Sequence, residues 1–188
     1  NNKLHGNALQ MQLPVGEAEN FTGIIDLLEG KMATFSENDK GLTVQWQEIP
    51  NDYKQEAAQL RQRIVEAAAD LDDVVGEKFL NEEEITIPEI KAALRKGVLA
   101  LKIAPAFCGT AFKNKGVQTM LDYVMELLPS PLDKDNIVAT NPDTNEEVII
   151  KPTEKEPFAA LAFKIATDPF VGRLCFIRAY SGVLESGS

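Results

Sequence analysis

Histidine, tryptophan, cysteine and basic charge are all scarce in this 188-residue chain, and each scarcity removes a class of function. There is one histidine, His5, in a polar opening stretch, and there are two cysteines, Cys108 and Cys175, far apart and outside any CxxC or Cys/His grouping. That excludes a zinc site built from clustered ligands and leaves two thiols expected to be reduced. Lysine and arginine total 19 against 29 aspartates and glutamates, a formal charge of -10. Proteins that track nucleic-acid phosphates set a basic stripe against the backbone, so a basic protein partner is the better expectation. No apolar run approaches the roughly 20 residues that span a bilayer, and no signal peptide is recognisable. No membrane role is expected. What is present is a 44% apolar composition, enough for one sizeable core or two small ones. The first residue is Asn1 rather than methionine, and the chain is expected to be a piece of something longer.

Hydrophobic periodicity divides the chain. From Leu9 to Val15 apolar residues alternate with glutamines, the pattern of a strand exposed on one side. "FTGIIDLLEGKMATF" and "GLTVQWQEIP" read as further strands, separated by a hairpin-type turn at Asn38-Asp39-Lys40-Gly41. Then Tyr53, Ala57, Leu60, Ile64, Ala68, Leu71 and Val75 recur at steps of three or four, which predicts one long helix ended by Gly76. A second helix is expected from Thr86, with Glu89 completing a capping box and Ile90, Ala93, Leu94 and Val98 facing inward, Gly97 weakening its last turn. "LKIAPAFCG" reads as a strand buried on both faces, and Val117, Met120, Leu121, Val124, Leu127 and Leu128 as the inner face of a helix ending at Pro129-Ser130-Pro131. Residues 132–157 read as a linker with one short strand. Two strands, Ala160 to Ala166 and Leu174 to Tyr180, and the start of a third would open an all-β domain.

Between the last α/β strand and its helix lies Cys108-Gly109-Thr110-Ala111-Phe112. In open α/β sheets ligands sit beyond the carboxyl ends of strands, in such loops. Gly109 would admit a ligand close to backbone, and Asn114 could cap the helix that follows. An ordinary strand-to-helix turn is the plainer reading of the same residues. A second constellation is acidic: Glu66, Asp70 and Asp73 fall at i, i+4 and i+7, opposite the apolar stripe of the long helix. A solvated helix face is its plainer reading. Cys108 lacks a nearby histidine to activate it as a nucleophile. Glu82-Glu83-Glu84 lacks the glycine-punctuated spacing of a metal loop, and Lys113 and Lys115 solubilise a loop or touch phosphate.

The run Gly109-Thr110-Ala111-Phe112-Lys113-Asn114-Lys115-Gly116-Val117-Gln118 resembles the fifth guanine-nucleotide motif of the elongation factor G family, the bacterial translocation GTPases of the ribosome. "PVGEAENFTGIIDLLEGKM" is similar to that family's entry into the subdomain inserted in the G domain, "LLPSPLD" to the exit of the G domain, and "AFKIATDPFVGRLCFIRAYSGVLESGS" to the start of its β-barrel domain. The resemblance implies an α/β fold in which residues 1–102 form the inserted α+β subdomain and 103–131 the closing strand, guanine loop and helix of a P-loop GTPase-type G domain. Residues 132–156 are then a linker with a short strand, and 157–188 the first strands of the barrel.

It implies further that Gly109, Thr110, Ala111 and Phe112 form the guanine-base loop, with backbone amides at Thr110 and Ala111 reading the base carbonyl. Thr110 replaces the family's usual serine. It also makes Glu66, Asp70 and Asp73 candidate contacts for the C-terminal domain of the ribosomal stalk protein. The implied ligands are GTP or GDP with Mg, the implied partner is the ribosome, and the implied setting is a cytoplasmic monomer. The chain carries no GxxxxGK[ST] phosphate loop and no Asn-Lys-x-Asp, so by itself it is expected neither to hydrolyse GTP nor to hold it tightly. A recycling- or release-type relative, and a non-enzymatic acidic adaptor for a basic partner, are the alternatives.

Overall fold

In the computed structural model, residues 6–36, 38–133 and 136–187 are described; His5 lies outside them. The architecture is a mixture of α-helices and several small sheets, grouped into two compact units, Asn1–Leu128 and Pro129–Ser188.

The first unit opens with β1 (Ala8–Gln10) and β2 (Gln12–Val15), followed by β3 (Gly23–Asp26), β4 (Lys31–Phe35) and β5 (Val44–Gln47). The expected single strand from Leu9 to Val15 is in fact two. Met11 stands between them: its N–H donates to Ala106 O, 2.9 Å, while its own carbonyl accepts from Leu27 N, 3.2 Å. One residue thus passes the chain from one sheet to another. β2, β3, β4 and β5 form an antiparallel meander in that order. The β3–β4 and β4–β5 turns lie at the expected places, because Gly30 and Gly41 adopt left-handed φ values of 65° and 80° there.

Every residue of β3 is buried, so this strand is covered on both faces, while β5 at the edge is largely exposed. Ile25 and Met32 join the main core, with Leu27, Leu28, Ile64, Ala68, Ile90, Ala93 and Leu94. Ile24, Ala33 and Phe35 form a smaller cluster on which Phe21, Val44 and Cys108 pack.

The helices are α1 (Asn51–Ala69), α2 (Asp73–Leu80), α3 (Ile87–Leu99) and α4 (Val117–Leu127). Instead of one helix running to Gly76, the chain breaks at residues 70–72. The Asp72 carboxylate accepts from Val74 N, 3.0 Å, and Val75 N, 3.1 Å, so the side chain caps a new helix instead of extending the old one. Lys96 on α3 pairs with the same carboxylate and, with those amides, holds it below the usual range. Gly76 therefore lies inside α2; a Cβ there would come 3.0 Å from Ala69 O. Gly97, expected to weaken α3, is where Leu71 packs: a Cβ would stand 2.6 Å from Leu71 Cδ1.

The capping box forms as expected, Thr86 N donating to Glu89 at 2.9 Å. Lys78, 2.5 Å from Glu89, helps hold that carboxyl down at about 2. The predicted inner face of α3 is buried.

β6 (Ala104–Ala106) corrects the expectation of a strand buried on both faces. It is three residues long, pairs in parallel with β1 alone (Ala8↔Ala104), and leaves Ala104 and Ala106 exposed. α4 also turns a different face inward. Thr119, Tyr123 and Leu127 are buried, whereas Leu121 and Leu128 are half exposed. Both stripes have helical spacing; a hydroxyl partner for Tyr123 in the core decides between them.

In the second unit, the expected linker is a hairpin, β7 (Ile137–Thr140) with β8 (Glu147–Ile150). Asn141 and Asn145 close it, Asn145 with a left-handed φ of 56°, a turn signal hidden among polar residues. β9 (Ala159–Asp168) and β10 (Gly172–Ser181) form a second, longer hairpin with two register shifts. Residues 183–187 form no third strand.

Candidate guanine-base loop

Gly109 to Gly116 form a tight turn closed by a two-way bridge. Thr110 N donates to Lys115 O, 2.8 Å, and Lys115 N to Thr110 O, 3.1 Å, with Asn114 N bonded to Ala111 O, 3.1 Å. Asn114 takes a left-handed φ of 51°. The two glycines let the arms of the turn cross. A Cβ on Gly109 would lie 2.8 Å from Lys115 O, and one on Gly116, where φ is 85°, 2.8 Å from Cys108 O. At the tip, Ala111, Phe112 and Lys113 are exposed, Phe112 fully. No internal hydrogen bond is made by the Ala111 N–H among the described residues.

The base of the turn is fastened by a side chain from the far end of the sequence. Gln12 is 2% exposed; its Nε2 donates to Thr119 Oγ1, 3.3 Å, and its Oε1 accepts from Cys108 N, 3.4 Å. Thr119 in turn donates to Gly116 O, 3.2 Å. One buried amide thus ties β2, the strand-side arm of the turn and the first turn of α4. Asn114 does not cap α4 as expected: Gly116 occupies the N-cap position, and Asn114 Nδ2 donates instead to Lys40 O, 3.1 Å. Neither Gln12 nor Lys40 stands out in the sequence, since each acts on residues far along the chain.

The setting of Cys108 disfavours its thiolate. Burial pushes its thiol up to about 11, and it packs against Ile24, Ala33 and Phe35.

Glu66, Asp70 and Asp73 are all exposed, but they do not line one helix. Glu66 lies on α1, Asp70 is that helix's C-cap, and Asp73 opens α2 after the break. Glu66 Oε1 accepts from Gln62, 3.3 Å. Helical spacing therefore links Glu66 only to Asp70, and the three carboxylates form an acidic corner around a helix junction.

Among the described residues no helix is long and apolar enough to cross a membrane, and no group of three or more His, Cys, Asp or Glu could hold a metal ion. No family model matches the chain. Elongation factor G of Cytophaga hutchinsonii is 57% identical to it over 186 residues, covering 98% of this chain and 26% of that protein. A crystal structure of a protein from Thermus thermophilus is similar with a TM-score of 0.72 at 25% identity, covering 96% of this chain and 24% of that one. The chain spans about a quarter of the length of the relatives it matches.

Proposed function

We propose that this chain is a segment of an elongation factor G, and that in the whole protein it supplies the guanine-base loop and an acidic, stalk-facing helix junction. The observation that carries this reading is 57% identity sustained over 98% of the chain. The whole protein is a cytoplasmic GTP hydrolase that moves transfer RNAs and messenger RNA through the ribosome. Residues 1–102 are its inserted subdomain, 103–131 the end of its G domain, and 157–188 the start of its β-barrel. It works as a monomer, and the phosphates and Mg are held by residues other than these.

The geometry of the turn supports a role at the base end of a nucleotide. Its tip offers an N–H at Ala111 with no competing internal partner, on a turn whose two arms are bridged between Thr110 and Lys115. A donor fixed in this way reads a carbonyl oxygen without reorganising when the ligand arrives. Gly109 keeps the turn tight, Thr110 anchors it, and the fully exposed ring of Phe112 lies beside the donor's position in sequence. A phosphate cradle of the GxxxxGK[ST] type is absent from this sequence, although Lys113 and Lys115 lie in the turn.

In the full-length protein, Ala111→Pro removes the N–H. The expected result is about a tenfold loss of GDP affinity, the scale of one hydrogen bond whose partner is left unpaired. Unchanged affinity with guanine selectivity intact would overturn the loop assignment. Reversing Glu66, Asp70 and Asp73 to lysine is expected to slow ribosome-stimulated turnover and leave intrinsic nucleotide affinity alone, because exposed charges steer encounter. Equal slowing without ribosomes would overturn the stalk assignment.

A further inference from the structure

The outer side of the base loop is held by the turn between β4 and β5. Gln118 Nε2 donates to Gly41 O, 2.7 Å, and Asn114 Nδ2 to Lys40 O, 3.1 Å. The backbones meet as well: a Cβ on Gly41 would stand 2.4 Å from Asn114 O, so only glycine fits. Residues 39–43 of the turn carry bonds of their own. Asp39 accepts from Leu42 N, 3.1 Å, and Thr43 N, 2.9 Å, and Lys40 and Gly41 both take left-handed φ values, 57° and 80°. Beside this junction lies a hollow of about 570 Å³ lined by Asp39, Leu42, Phe112 and Lys113.

Gln118 is an odd choice if packing were its whole purpose. Its Oε1 is buried without a hydrogen-bond partner, and an unpaired buried carbonyl is unfavourable. An aliphatic side chain of similar size would avoid that; it would not grip Gly41.

We propose that the β4–β5 turn is a positioning element for base recognition, in which Gly41 and Gln118 hold the 110–115 turn so that the Ala111 N–H meets the guanine carbonyl. This rests on the reading of that turn as the guanine loop. Gly41 and Gln118 are positioning residues, since neither touches the base.

The test uses the full-length protein and two diphosphates, GDP and the 2-aminopurine riboside diphosphate, which lacks the carbonyl. Gln118→Leu is expected to release GDP about fivefold faster, the scale of one hydrogen bond, to leave release of the 2-aminopurine analogue unchanged, and to melt no lower than the parent. Gly41→Ala, whose Cβ collides with Asn114 O, should speed GDP release with the same selectivity but melt lower; Gln118→Leu carries the test if that variant does not fold. Equal acceleration with both nucleotides, or no acceleration with GDP, overturns the proposal. Ala111→Pro, run in parallel, separates the two failures. If it weakens GDP while Gln118→Leu does not, only the positioning role falls; if it too has no effect, the base reading and this proposal fall together.

Discussion

Asp26 and Tyr123 form a buried, charge-assisted contact in the first unit, and Tyr123→Phe tests it. Asp26 is 1% exposed, and one oxygen, Oδ1, accepts from Leu28 N, 3.1 Å, Glu29 N, 3.0 Å, and Tyr123 OH, 2.9 Å. Burial pushes its carboxyl above the ordinary 3.8, against the pull of those donors. Burial and the Asp26 charge push the Tyr123 hydroxyl up, so it stays a donor. The substitution removes one charge-assisted hydrogen bond and keeps the ring against Phe107, 5.0 Å between centroids. At pH 7 the expected cost is about 1.5–3 kcal/mol, or a melting point lower by roughly 5–10 °C for a unit of this size.

The pH dependence follows from the sign of the shift. A carboxyl whose folded value lies above its unfolded value disfavours folding once ionised, and that penalty disappears as pH falls through the folded value. Losing Tyr123 OH raises Asp26 further, so the variant's deficit is largest near neutrality and shrinks on acidification, within a window above 3.8. Urea unfolding at pH 7 and about pH 4.5, followed by fluorescence of Trp46, reads it out. Trp46 is the single tryptophan and lines the same hollow as Asp26 and Tyr123. A deficit under about 0.5 kcal/mol at pH 7, below the net range for one hydrogen bond, or one that grows toward acid, would refute the reasoning.

Two further outcomes are expected. Asp72→Ala removes the cap of α2 and should cost about 0.5–2 kcal/mol at pH 7 by thermal melt. Because Asp72 titrates below its ordinary value, its contribution is present above 3.8 and fades as pH falls below it; a deficit that persists undiminished near pH 2 would contradict this. Native protein at about pH 8 should let a maleimide modify exposed Cys175 and spare Cys108 by on the order of a hundredfold in rate, the difference vanishing in urea. Equal native rates would show that Cys108 is not shielded by its packing.

What could be read from the sequence was local. Thr86 and Glu89 are three residues apart, and the 109–116 turn carries its own glycines, so both were recognisable. The helix break was readable in principle, since Asp72 before Val74-Val75 is a cap signal, but an unbroken apolar stripe masked it. α4 offered two stripes of equal periodicity, and only a partner across 97 residues, Asp26 for Tyr123, chooses between them. Gln12, bonded to Cys108 across 96 residues, and Gln118, bonded to Gly41 across 77, left no trace in any window of periodicity. Spacing arguments fail at such pairs because proximity comes from the fold and not from the chain.

The single-residue crossing at Met11 bears on the order in which this polypeptide folds. β1 and β6 pair as parallel neighbours, yet the meander and three helices lie between them in the chain. Closing so long a loop is unfavourable in entropy until the excursion has collapsed, and pairings of such high separation form late. During synthesis, the 110–115 turn emerges after Gln12 and Gly41, and only α4 with its Gln118 follows it in the first unit. The turn and α4 are thus the last-made parts of that unit, and their bonds to Gln12 and Gly41 can form only after residues 12–103 are already out.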